Sequence, residues 1–519
     1  MTTQTLKRAV AAHRAGRLKE AEAAYRQILQ DGSRDSNGSS DPNESNNADA
    51  AHLLGLVLHQ RGLNEAGLVA IERAVALKPR ASNYHNSHGL VLHALGQFGA
   101  AEDALQIAVS LDPSDADAHN NIGLVYSSQR RFALAATSLE RAFEIRPQYP
   151  AAFNNYGRAL VVLGRAGAAI APLKNACAME PENASFANTL GVALRESGQH
   201  DAAALAYKHA LSLDPENGDA HVSYAQLLLS NGDYAAGWPE HEWRLARPEH
   251  QHRPGANRWD GKSSLDGKTI LLWAEQGLGD AIQFVRYARN AADRGARVVV
   301  ECAPPLHRLF DTAPGVAAVV APGDAVPFDV HCPLMSLAGV FDPLLKTPME
   351  PYLTAPAAMR LEDAATRKIG LVWAGNPRHA NDANRSAALS DFSALTTSKQ
   401  DGAYYGLQKG AASAQTPPPG MNFTNLGPEL DDFQDTASAL LALDLLITVD
   451  TSVAHLAGAM GRPVWLLLPF VADWRWLLDA QDSPWYPSMR LFRRGEGEDW
   501  ARVLRRVADT LHTELADRG

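Results

Sequence analysis

Cysteine is scarce in this chain: three residues in 519, Cys177, Cys302 and Cys332, all far apart. They cannot form a disulfide framework, and no C-x-x-C is present for zinc. A reducing compartment, the cytoplasm, is the expected setting. Long apolar runs are also missing. No 18 consecutive residues are apolar, and the stretch LLALDLLITV carries Asp444 inside it, so no membrane span is expected. The opening segment, MTTQTLKRAVAAHRAGR, has no apolar core of signal-peptide length. Nor is there a basic excess. With 48 Lys and Arg against 58 Asp and Glu, the net charge is −10, a poor field for nucleic acid. Apolar residues make up 46% and charged residues 20%, a globular balance. At about 150 residues per domain, the length suggests roughly three compact units.

What is present first is repetition. Pro79, Pro113, Pro147, Pro181 and Pro215 are 34 apart, as are Gly55, Gly89, Gly123, Gly157 and Gly191, and Ala74, Ala108, Ala142, Ala176 and Ala210. A fourth row runs Gly62, Gly96, Arg130, Gly164, Gly198, Gly232. A 34-residue period with these small residues is the signature of tetratricopeptide helix–turn–helix units. Glycine and alanine let the two helices of a unit approach closely. The fourth row ends the first helix where a positive φ is wanted, and proline closes the second. Stacked pairs bury their faces against neighbours, so residues 1–235 are expected to form an all-α superhelix. Six repeats run to about residue 217, and a seventh fades after Tyr234. Gly16 stands 46 residues before Gly62, and the twelve extra residues fall in DGSRDSNGSSDPNESNN, read as a mobile insert at 31–47.

Asparagines recur on the first helix of each unit. Asn86, Asn120, Asn154 and Asn188 form one row, and Asn121 and Asn155 the next. On the concave face such amides can bind the backbone of an extended peptide. They can equally bridge neighbouring helices. The second row resembles the asparagine ladder of O-linked N-acetylglucosamine transferase, here with two rungs.

The register stops after residue 237, and residues 236–265 read as a joint. Beyond it, TILLWA (269–274), RVVVEC (297–302), KIGLVWAG (368–375), YYGLQ (404–408), LLITVD (445–450) and PVWLLLP (463–469) are short apolar runs separated mostly by helical stretches. That alternation predicts parallel sheets. A proline-rich segment at 341–356 divides the region into lobes, 266–360 and 361–519.

In AEQGLGDAIQF, Gly277 and Gly279 lie between strand and helix, with Ile282 where a dinucleotide fingerprint would need a third glycine. Asp280 then sits at the mouth of a helix, placed either to cap it or to act as a general base. In ITVDTSVAHLAGAMGRP, Asp450 ends a strand, Thr451 and Ser452 open a helix, and His455 follows. The free N–H groups of such a helix start attract phosphate; the plainer reading is a cap beside a packed histidine. The loop AGNPRHANDANRS, with Asn376, Arg378 and Arg385, and the segment Gln408-Lys409-Gly410 follow strand ends, where open α/β sheets bind ligands. Trp474, Trp476 and Trp485 are expected to pack, and Arg475 to face the cleft.

Taken together, AEQGLGD, VWAGNPRHANDANRS, GLQKG, VDTSVAHLAGAMGRPVWLLLPF and DWRW resemble the C-terminal glycosyltransferase unit of bacterial tetratricopeptide proteins. That unit is similar to the heptosyltransferases and, more distantly, to O-linked N-acetylglucosamine transferase. The resemblance implies a GT-B fold, two Rossmann-like lobes with a nucleotide sugar between them as substrate and no cofactor. It implies Asp280 as base, with His455 and Lys409 stabilising the leaving phosphate. Gly277, Gly279, Asn376, Arg378, Gln408, Asp450, Thr451, Ser452 and Arg475 would hold the donor. No metal is expected, because the one D-x-D, Asp115-Ala116-Asp117, lies in a repeat turn. The expected reaction is inverting sugar transfer to a protein Ser or Thr hydroxyl presented by the repeats. Transfer to a glycan or lipid-linked saccharide, or a non-catalytic scaffold, are the alternatives.

Overall fold

The computed structural model describes residues 2–32, 43–247, 257–346, 350–361, 367–379, 381–397 and 402–516. The chain divides into two compact units, Met1–Gln199 and His200–Gly519.

The first unit is helical throughout its described length. Its helices are Thr2–Arg14, Leu18–Gly32, Asn43–Gln60, Asn64–Leu77, Ser82–Ala94, Phe98–Leu111, Ala116–Ser128, Phe132–Ile145, Pro150–Val162, Ala166–Met179 and Ala184–Glu196. The ladders set their spacing. Gly16, Gly62, Gly96, Gly164 and Gly198 all take φ between 72° and 78°, ending the first helix of a unit in the left-handed region. Arg130, which interrupts that row, is forced to φ 61°. In the first glycine row, a Cβ at Gly123 would stand 2.6 Å from Leu139 Cγ. Only glycine admits the fully buried Leu139 of the partner helix.

Of the insert expected at 31–47, residues 33–42 lie outside the described residues. The edges differ from the expectation: Asp31 and Gly32 end one helix, and residues 43–47 already belong to the next. Ala48, Ala50 and Ala51, each fully buried, anchor that helix and extend it back through polar sequence.

The second unit begins with three more helices, His200–Leu213, Gly218–Ser230 and Tyr234–His241, followed by a 3-10 turn over Glu242–Ala246. The segment read as a joint is well packed where it is described. Trp238, Trp259 and Leu265 enter the same hydrophobic core as the strands behind them, and Trp259 N–H donates to His331 O at 2.8 Å.

Two parallel sheets follow. The first holds β1 (Thr269–Trp273), β2 (Arg297–Glu301), β3 (Val316–Val320) and β4 (Val330–Pro333), in the order β3-β2-β1-β4. The second holds β5 (Arg367–Val372), β6 (Gly402–Gly406), β7 (Phe423–Asn425), β8 (Leu445–Val449), β9 (Val464–Leu468) and β10 (Met489–Arg493), in the order β10-β9-β8-β5-β6-β7. Every strand pairing in both sheets is parallel. Counted from β5, the second order is the doubly wound one that reverses between its first and fourth strands. Four strands escaped the sequence reading for physical reasons. β4 contains His331 and Pro333, β7 is three residues long, and β10 sets Arg490 and Arg493 among apolar residues at an edge; β3, Val316–Val320, is an apolar run that stays only partly buried.

Candidate functional site

In a doubly wound sheet, neighbouring strands that lead in opposite directions leave a crevice at their carboxyl ends. In the second sheet those strands are β5 and β8. A cleft of about 800 Å³ opens there. It gathers Asn376 and Arg385 after β5, Lys409 after β6, Asp450, Thr451, Ser452 and His455 after β8, and Asp473 and Arg475 after β9. The loop after β1 of the first sheet adds Gly277, Gly279 and Asp280. Residues as far apart in the chain as Asp280 and Arg475 thus share one space.

Asp280 lies in the first turn of the helix Leu278–Phe284. Its Oδ2 accepts the Gly277 N–H at 2.8 Å, which is the capping role. Its Oδ1 accepts from Arg475 Nη2 at 2.5 Å, across the cleft. The side chain keeps 22% exposure, so it also remains open to a ligand. Arg475 is buried and fully engaged: Nε donates to Gln283 Oε1 at 2.6 Å and Nη1 to Asp473 Oδ1 at 2.8 Å. Burial alone would lower the guanidinium pKa, but Asp473 and Asp280 outweigh it and raise it. Burial would likewise raise Asp473, and Arg475 outweighs it, holding the carboxyl below its usual range. Arg475 therefore organises carboxylates in the cleft that it lines.

The helix Ser452–Ala459 starts at the cleft. Thr451 occupies the N-cap position, yet its side chain makes no cap bond. Its Oγ1 lies 3.2 Å from Thr448 Oγ1 instead. The first N–H groups of this helix are thus left without a side-chain cap, as an anion site requires. Asp450 is 14% exposed, and burial raises its carboxyl pKa despite the opposing pull of Arg385.

His455, expected to stabilise a leaving phosphate, carries no charge of its own. Burial, followed by the field of Arg475, lowers its pKa to about 3, so the imidazole is neutral. Its Nε2 lies 4.0 Å from Asp450 Oδ1, and this is no ion pair between charged groups. The ring stacks on Trp476 at 5.4 Å between centroids. Gly279 explains how the two helices meet here. A Cβ at that position would stand 2.8 Å from His455 Cδ2, so the glycine provides close approach more than a tight turn.

Of three other residues expected at the donor, two line the cleft and one does not. Gln408 lines the cleft, but its Oε1 accepts the N–H groups of Trp373 and Ala374, at 3.1 and 2.9 Å. Its Nε2 donates to Ala374 O and Lys409 O, so the amide clips the end of β5 to that of β6. Lys409 Nζ donates to Gly427 O at 2.9 Å and to Leu430 O. Arg378 is exposed in its turn and is not among the residues lining the cleft. Arg385 takes that place, with its Nε buried and without a hydrogen-bond partner among the described residues. The helical turn Asp382–Arg385 and the bond from Gly375 N–H to Ser386 Oγ fold the loop back to bring it there. Spacing gave no reason to prefer Arg385 over Arg378. Asp473, in DWRW, also enters the cleft, and no spacing in the sequence marks it.

In the repeats, the asparagines bond one another. Asn121 Nδ2 donates to Asn86 Oδ1 at 2.8 Å, and Asn155 Nδ2 to Asn120 Oδ1 at 3.1 Å. These amides bridge successive units, the plainer of the two readings. Asn154 Oδ1 and Asn188 Oδ1 are buried without a partner among the described residues.

Two family models described as tetratricopeptide repeat match the chain, one over residues 86–150 and 121–184, the other over 194–237. The helical front is built of tetratricopeptide repeats. They support a protein-interaction scaffold and the binding of a protein or peptide. Protein FlbA of Caulobacter vibrioides is 25% identical over 329 residues, which cover 55% of this chain and 54% of that protein. The chain thus spans about half the length of this curated relative. Among solved structures, a thermophilic tetratricopeptide protein of Thermus thermophilus is 24% identical, with a TM-score of 0.32 over 35% of this chain and 99% of that one. Pseudomonas aeruginosa PilF is 20% identical, with a TM-score of 0.35 over 38% of this chain and 90% of that one. No described helix is long and apolar enough to cross a membrane.

Proposed function

We propose that this chain is a glycosyltransferase of the GT-B kind. Its lobes would be 266–360 and 361–519, served by repeats over 1–235 and a joint at 236–265. It would move a sugar, with inversion and without a metal, from a nucleotide sugar to a Ser or Thr hydroxyl of a protein held by the repeats. The observation that carries this reading is the single cleft. It joins Asp280, in the loop after the first sheet's β1, to an uncapped helix start, Ser452, and to Arg385, whose buried Nε–H has no partner among the described residues, of the second.

The acceptor oxygen attacks the anomeric carbon as the carbon–phosphate oxygen bond breaks, and Asp280 takes the hydroxyl proton. Arg475 keeps its bond to Asp473 as Asp280 is neutralised. Charge developing on the departing phosphate meets the N–H groups of the helix start, the Arg385 guanidinium and a neutral imidazole N–H of His455. Lys409 stands nearby, bound to the carbonyls of Gly427 and Leu430.

A second reading, a scaffold without catalysis, draws on the repeats alone. Transfer to a glycan or lipid-linked saccharide is a variant of the first. Mass spectrometry of cells lacking this chain separates them. Glycopeptides on Ser or Thr that vanish with the chain support the proposal; an unchanged glycoproteome with protein assemblies lost overturns it in favour of the scaffold.

A further inference from the structure

Tyr486 lies outside the cleft and was not singled out by its sequence, yet it touches the histidine inside it. It is 1% exposed, and its hydroxyl lies 3.1 Å from His455 Nδ1. Its ring is pressed against the helix that carries His455: a Cβ at Gly458 would stand 2.5 Å from Tyr486 Cγ. Its backbone N–H donates to Ser483 Oγ at 3.2 Å, and the Arg286 guanidinium lies 5.0 Å from the ring centroid. The phenol is therefore fixed in position as well as buried.

A neutral imidazole carries its proton on one nitrogen, and the partner of the other nitrogen decides which. On the cleft side, His455 Nε2 faces Asp450 Oδ1 at 4.0 Å. A bare Nε2 lone pair would point at an oxygen; an Nε2–H is attracted to it. On the far side, Nδ1 has the Tyr486 hydroxyl. The neighbouring Tyr352 hydroxyl donates to Ile282 O at 2.9 Å and accepts from Arg286 Nη2 at 3.1 Å, so it has no proton to give Tyr486 and competes with His455 Nδ1 as acceptor of the Tyr486 proton. Burial raises the Tyr486 pKa well above its usual value, so the phenol keeps its proton and can donate.

We propose that Tyr486 is a positioning residue whose hydroxyl donates to His455 Nδ1 and so fixes the Nε2–H tautomer, presenting an uncharged N–H donor to the cleft. This rests on the glycosyltransferase reading only for its purpose, which is to meet charge on a departing phosphate. The tautomer itself is a property of the protein without substrate.

The test is long-range proton–nitrogen correlation on full-length protein labelled with 15N-histidine, near pH 7. The His455 signals are assigned as those missing from His455→Gln. The expected result is the pattern of a neutral ring protonated at Nε2, with loss of that single-tautomer pattern in Tyr486→Phe. An Nδ1–H ring or an imidazolium in the parent protein overturns the proposal, and so does an unchanged pattern in a folded Tyr486→Phe. If that variant does not fold, the parent spectrum decides alone. A parallel titration with nucleoside diphosphates is expected to weaken about tenfold in Tyr486→Phe, the scale of one hydrogen bond. Absence of nucleotide binding in the parent protein would overturn the glycosyltransferase reading instead, and is read separately from the tautomer.

Discussion

The two halves of this chain hold themselves together over different distances. In the repeats, side chains meet their counterparts one unit away: Asn121 with Asn86, Asn155 with Asn120 and His52 with Ser87, each 35 residues apart. In the sheets, the governing contacts span most of the unit: Arg475 reaches Gln283, 192 residues distant, and Asp280, 195 distant. A repeat array is therefore stabilised by a sum of near-neighbour terms. The cleft depends on several distant loops arriving together. Damage in the first half should stay local, whereas damage in the second should reach the site.

The largest effect expected is on chemistry. Asp280→Asn should lower sugar transfer by about 10²–10⁴-fold, the usual worth of a general base. Nucleotide affinity, measured alongside, should persist. Turnover at the parent rate would remove Asp280 from the mechanism.

Next come two packing substitutions, one in each half. Leu139→Ala should cost about 2–5 kcal/mol of repeat stability in a denaturant titration while nucleotide binding is kept. Gly279→Val should cost about 1–3 kcal/mol through overpacking, and it should also displace His455 and weaken nucleotide binding. The contrast between the halves fails if Leu139→Ala harms binding as much as Gly279→Val does.

A third effect depends on pH. Burial lowers the His52 pKa to about 4 in the repeats, as it lowers that of His455 to about 3 in the cleft. Unfolding lets both rings bind protons near pH 6.5, so the unfolded state takes up more protons and stability falls as pH drops below that value. The loss continues to about pH 4 for His52 and about pH 3 for His455. Melting curves across that range should show the repeats losing less in His52→Gln than in the parent. Equal acid sensitivity would rule His52 out as a source.

The smallest effect has the opposite sign. Arg130 holds φ 61° where the other units place glycine. Arg130→Gly should stabilise the repeats by up to about 1 kcal/mol, since a left-handed residue with a Cβ is strained. A lower midpoint would mean that the arginine side chain contributes more than the strain costs.

What the sequence disclosed follows the same division. The turn positions and the close approach of paired helices at the row of Gly123 were readable because each repeats at 34 residues, so one reading is checked several times over. The strand ends from which the loops bearing Asp280 and Asp450 depart were readable from apolar runs that stop at polar residues. Which loop arginine enters the cleft was not. Arg378 and Arg385 share one polar loop, and the choice is made by a short helical turn and a bond from Gly375 to Ser386. The neutrality of His455 was hidden too, because it arises from burial and from Arg475, a residue of a different loop. The asparagine rows were visible as rows, but whether an amide faces a peptide or its neighbour depends on rotamers that spacing does not encode.

The central claim is that the cleft receives a nucleotide-linked phosphate at the start of the helix Ser452–Ala459, beside Arg385. Isothermal titration of the full chain with a panel of nucleoside diphosphates, repeated on Arg385→Ala, tests it directly. Saturable binding of at least one nucleotide is expected, with an affinity loss of about 10- to 100-fold in the variant, the range for a hydrogen bond to a charged group. No heat from any nucleotide, or an affinity unmoved by Arg385→Ala, would contradict it.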